Sequence, residues 1–104
     1  MTIQTTAVSN SATTVYSSTN NTAVTYMQLT NTSAGALTVD IDVIPSGDSL
    51  STTNAVAKTL SIAATDSYQL YTGGEKLLLA NGDTVQVTAS AATGINAVVS
   101  FTAI

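Results

Sequence analysis

Residues 36–45 read ALTVDIDVIP, with Leu37, Val39, Ile41 and Val43 alternating against Thr38, Asp40 and Asp42. A period of two sends successive side chains to opposite faces, so this stretch predicts a strand with one face toward a core and one toward water. PSGD at 45–48 ends it, because Pro45 lacks a ladder donor and Gly47 supplies a permissive backbone. NTSAG at 31–35 reads as the hairpin turn that leads in.

Working outward toward the N-terminus, AVTYMQLT at 23–30 predicts a second strand. Ala23, Thr25, Met27 and Leu29 fall on one face and Val24, Tyr26 and Gln28 on the other. Bulk on both faces argues for a central position in a sheet. SSTNN at 17–21 is a turn cluster, and Val15 and Tyr16 open the first apolar patch. Residues 1–13 are small and polar with scattered Ile3, Ala7 and Val8. They read as an arm or a weak first strand; an arm that orders against a neighbouring subunit through Ile3 and Val8 is the favoured expectation, with a frayed terminus as the alternative.

Toward the C-terminus, SLSTTNAVAK at 49–58 is a polar connection with weak strand character near its end. Leu60 and Ile62 mark another alternating segment, AATD at 63–66 interrupts it, and Tyr68 and Leu70 share a face beyond. After the Gly73-Gly74 break and a short run at 76–79, Asn81-Gly82 is a strong turn signal. DTVQVTA at 83–89 and INAVVSFTAI at 95–104 then alternate as cleanly as the opening stretch. About seven short strands separated by Ser, Thr, Asn and Gly turns predict an all-β fold, a two-sheet antiparallel sandwich over residues 14–104. The order is expected to be Ig-like, with a jelly roll as the alternative that shares the same alternation.

Composition narrows the chemistry. The chain has 104 residues, one domain's worth, with neither Cys nor His. Disulfides are therefore excluded, and the usual zinc and copper sites lack their ligands, so no metal or cofactor is expected. Only 8% of residues are charged, and two Lys against six acids leave a net charge of −4. A phosphate backbone needs a basic stripe, so direct contact with nucleic acid is not expected. The first residues, MTIQTTAVSNSATT, have neither the basic start nor the apolar run of a secretory signal, and no window is apolar enough for a membrane span.

An enzyme needs convergent acids, bases or nucleophiles, and without His or Cys the base must be a carboxylate or lysine. Asp40 and Asp42 are the closest acids, placed by their spacing on one solvent face of a strand. Two carboxylates fall short of a calcium shell, and a solvated face that discourages edge pairing is the preferred reading. Asp48, Asp66 and Asp83 sit in turn sequences where a short acid caps backbone donors. Many Ser and Thr are present, but none has a base, so no catalytic residue is assigned. Tyr68 and Tyr71 offer an aromatic platform for a sugar ring beside Gly73-Gly74, although tyrosines in sandwiches are more often half-buried.

Three stretches in this order carry a resemblance: TAVTYMQLTN at 22–31, ALTVDIDVIP at 36–45, and LLLANGDTVQVTAS at 77–90 followed by NAVVSFTAI. The chain resembles small β-sandwich virion proteins of tailed bacteriophages, particularly those of cyanobacteria, over most of residues 15–104. The resemblance implies an Ig-like building block with no catalytic residues. It would act in the virion, assembled in the host cytoplasm, as a capsid decoration or cement protein. The implied partners are the major capsid protein and neighbouring copies in a homo-oligomer. A neck, tail or fibre component is the alternative, and a carbohydrate-binding or adhesin module using Tyr68 or Tyr71 is a further one.

Overall fold

A computed structural model describes residues 2–70 and 77–104. Tyr71, the Gly73-Gly74 break and the start of the run at 76–79 lie outside the described residues. The described strands are β1 (Thr2–Val8), β2 (Thr13–Ser17), β3 (Thr22–Asn31), β4 (Leu37–Ile44), β5 (Ala55–Ile62), β6 (Ser67–Gln69), β7 (Leu77–Leu79), β8 (Thr84–Ala89) and β9 (Ile95–Ala103). A 3-10 turn, Thr52–Asn54, precedes β5 and is capped by the side chain of Ser51. All the pairings are antiparallel and build two sheets, which pack face to face as a sandwich.

The five-stranded sheet runs β1-β9-β3-β6, with β7 pairing β3 beside β6, and the four-stranded sheet runs β2-β8-β4-β5. Consecutive pairs β1/β2, β3/β4, β5/β6 and β8/β9 each cross from one sheet to the other. Only β4 and β5 are both consecutive and hydrogen-bonded neighbours among the strands of the second sheet. The chain is therefore an antiparallel ribbon rolled around its core, the jelly-roll order and not the Ig-like one. Alternation sets the faces of a strand, but the choice between these orders lies in long-range pairing.

Nine described strands replace the expected seven because β6 and β7, at three residues each, are too short to alternate visibly, and because the N-terminal segment is a strand. β1 pairs β9 without interruption from Thr2↔Phe101 to Val8↔Ile95. Residues 2–8 are thus part of the sandwich, and the division at residue 13 does not separate an arm from a domain.

The core is aliphatic, with Val15, Val24, Met27, Leu29, Val39, Ile41, Val85, Val87, Ile95, Ala97 and Val99 all at most 1% exposed. Burying a side chain of this class stabilises the fold by roughly 1.5–3 kcal/mol. β3 does not keep one phase throughout. Its register against β9 shifts between Val24 and Tyr26, so Thr25 forms a bulge. Val24 points to the core before the bulge and Met27 and Leu29 after it, which corrects the expected grouping of Ala23 and Thr25 with Met27 and Leu29. Thr25 instead donates from Oγ1 to the Ser100 carbonyl at 3.2 Å.

Polar nodes tie the connections to the sheets. Asn31, fully buried at the end of β3, donates from Nδ2 to the carbonyls of Gly35 and Ile62, both at 2.9 Å. Its Oδ1 accepts from the backbone and hydroxyl of Ser33 at 2.9 and 2.7 Å, so one amide joins the β3–β4 turn to β5 across the sandwich. At the other end, the Asp83 carboxylate accepts from the amides of Ser46 and Ala80 at 2.8 and 2.9 Å. Gly82 in that turn has φ +89°, a conformation that favours glycine, and a Cβ there would lie 2.6 Å from the Ser46 hydroxyl, which would have to move.

Candidate functional site

No Asp, Glu, Lys or Arg occurs in any strand of the five-stranded sheet. The strand charges lie in the other sheet, with Asp40 and Asp42 in β4 and Lys58 in β5. Among the described residues, the sandwich consequently has one acidic broad face and one whose strands carry no formal charge. Register defines the outer surface of the uncharged sheet row by row. Ile3, Ser100 and Tyr26 are neighbours, then Thr5, Val98, Gln28 and Gln69, then Ala7, Asn96, Thr30 and Ser67. Tyr26 donates its hydroxyl hydrogen to Gln28 Oε1 within this surface. Ile3 is 69% exposed at one side and Leu78 of β7 is 65% exposed at the other.

The acidic face is built differently. Asp40 accepts from the Thr59 amide at 2.7 Å and from Lys58 Nζ at 3.2 Å. Thr59 has φ +53°, unusual for a β-branched residue, and sits where β5 slips against β4. The Asp40 carboxylate therefore holds a bulge in edge strand β5, and the Thr59 amide bond is the main reason its pKa is lowered; burial opposes the shift and Lys58 adds to it. Asp42 is raised, first by burial and then by the charge of Asp40, with Lys58 opposing. The two acids share a face as expected, yet Asp42 is 7% exposed and so not solvated. Beside them a concavity of about 340 Å³ is lined by Ser11, Asp42, Leu50, Ser51, Lys58 and Thr88, among others. Among the described residues no three acids come together as metal ligands do.

The four residues singled out for partner contact are not brought together. Ile3 is exposed on the edge strand β1, but Val8, at 2%, is a core residue. Its assignment as a partner contact is corrected by the register, which turns Val8 inward opposite Ile95 while Ile3 faces out. Tyr68 pairs Leu29 on β6 and is half-buried against the core, and Tyr71 lies outside the described residues. What sequence reasoning missed is the uncharged sheet as a unit. The signal was present in the absence of charge from TIQTTAV, TAVTYMQLTN and INAVVSFTA, but these segments become one surface only once their pairing is known. The chain matches no known family model, no curated protein and no solved structure.

Proposed function

We propose that the chain is a structural protein of a tailed-bacteriophage virion, a decoration protein that contacts the major capsid protein and neighbouring copies of itself. The observation that carries this reading is that the described strands of the five-stranded sheet hold no charged residue, an extended polar and apolar surface in a chain of net charge −4. Interface cores are depleted of charged residues, and a rigid tile with one such face suits repeated lattice contacts. The resemblance of residues 22–31, 36–45 and 77–90 to phage virion proteins points the same way. The jelly-roll order is compatible with it, since capsid domains use that order, although lectins do too and fold alone does not assign function.

The role is non-catalytic in this reading. The carboxylates of Asp40, Asp66 and Asp83 already accept backbone amides from Thr59, Ser67, Ser46 and Ala80, which is structural work. A neck, tail or fibre position is the alternative placement. Gold-labelled antibody on intact particles, viewed by electron microscopy, tests the proposal. Label spread over the shell is the expected result. Label confined to the neck or tail replaces decoration by the alternative, and unlabelled particles that retain the protein's antigen nowhere overturn the virion role.

A further inference from the structure

Among the described residues the sandwich has four lateral edges, and three carry a device that discourages pairing with another chain. β5 is bulged at Thr59 and presents Lys58. β2 is short and bulged between Thr14 and Tyr16, and the Val15 carbonyl is taken by Gln4 Nε2 at 2.9 Å. β6 and β7, which share the far side of β3, have three residues each. The fourth edge, β1, has seven residues in unbroken register with β9, with neither charge nor proline.

The register also shows which backbone groups of β1 are open. In an antiparallel ladder residues alternate between bonding one neighbour and the other. Thr32 donates to the Gly94 carbonyl at 2.7 Å and Ile104 to Asn21 at 3.1 Å, so even-numbered residues of β9 turn their backbone toward β3. Odd-numbered residues therefore serve β1, and their partners are Gln4, Thr6 and Val8. The amides and carbonyls of Ile3, Thr5 and Ala7 consequently face the open edge. The next residue in that series, Ser9, is already used internally, with its amide on Thr13 Oγ1 at 3.2 Å and its carbonyl accepting from Ala89 at 3.0 Å.

This open set is symmetric about Thr5, which is the property an antiparallel pairing of a strand with its own copy requires. We propose that β1 pairs with β1 of a second copy of this chain across a two-fold axis at Thr5, joining the two five-stranded sheets. Thr5 then faces Thr5 and exchanges both backbone bonds, while Ile3 faces Ala7 in both directions. Every open group of the three residues finds a partner in this one register. Thr opposite Thr is a favourable cross-strand pair, and the exposed Ile3 gains a neighbour. A self-pairing seam also sets each residue against its own image or a near neighbour, so a charge in its centre would repel itself, and the strand has none. The inference stands on the edge geometry and does not rest on the virion reading.

Sedimentation equilibrium of the full chain, with amide hydrogen exchange resolved by NMR, tests it. The expected result is a concentration-dependent dimer in which the Ile3, Thr5 and Ala7 amides are protected and lose protection on dilution. Gln4, Thr6 and Val8 should remain protected in both states. Thr5→Lys places two ammonium groups across the axis and is expected to weaken the dimer roughly tenfold or more. Thr5 is exposed and its backbone faces away from β9, so the fold should persist by circular dichroism. A monomer at all concentrations, a trimer, or a dimer without the alternating protection would overturn the seam. Each would leave the virion proposal to its own test, and the alternating protection in wild-type protein decides the matter even if the variant fails to fold.

Discussion

At Asn31 a single fully buried amide makes four hydrogen bonds and serves two connections at once. Asn31→Ala leaves the Ile62 and Gly35 carbonyls and the Ser33 amide without that partner, and should cost about 2–4 kcal/mol in urea unfolding. A loss within a few tenths of that of an exposed Asn→Ala control would contradict the role. The acids on β4 give a pH signature of opposite signs. Because the folded pKa of Asp42 is raised, its charged form costs stability above that pKa, and the cost is relieved as pH falls through it. Asp42→Asn is therefore expected to raise the urea midpoint at neutral pH, with the gain vanishing in acid below the ordinary carboxylate range. Asp40 runs the other way: its lowered pKa contributes stability that is complete above the ordinary carboxylate value and lost as pH falls through the folded one. The sequence placed both acids on one strand face correctly but gave no hint that Asp42 is buried or that Asp40 holds a bulge, since both depend on β5 and the segment around Leu50.

Among elements, β4, β8 and β9 were legible because apolar residues at every second position, Val39 and Ile41, Val85, Val87 and Ala89, and Ile95, Ala97 and Val99, all face the core. β3 and β5 were less so, for one shared reason. A one-residue bulge leaves composition untouched but exchanges the faces of everything beyond it, so Thr25 was grouped with Met27 and Leu29 while Val24 was set on the opposite face. In β1 the contrast between Ile3, Thr5, Ala7 and Gln4, Thr6, Val8 is too small to assign a face without β9. The bulge in β5 is also testable. Thr59 holds φ +53°, where a β-branched side chain is strained and glycine is not. Thr59→Gly should stabilise the chain by up to about 1 kcal/mol, the relief being reduced by the greater freedom of unfolded glycine. A clear destabilisation in thermal or urea unfolding would show that the threonine side chain contributes more than its backbone costs.

Across the whole molecule, charge is segregated by sheet. The four-stranded sheet carries Asp40, Asp42 and Lys58 and ends in bulged edges, features that keep other strands away. The described strands of the five-stranded sheet carry no charge, and the sheet has one long regular edge, features that invite contact. A β1 seam would double the uncharged surface across a two-fold axis, giving a wider tile with the acidic faces kept apart from it. The charge-free segments could be read along the sequence, but not their union in one sheet, because the rolled ribbon separates β1, β3 and β9 by strands of the other sheet. The sheet's proposed use, decoration of a phage capsid, makes a quantitative demand that no property of the isolated chain can meet. The deciding measurement is the copy number of this protein in purified virions, by quantitative mass spectrometry against the major capsid protein. A decoration protein should be present in a fixed proportion comparable to that of the capsid protein itself; a ratio of only a few chains per particle, or absence from the particles, would contradict that role.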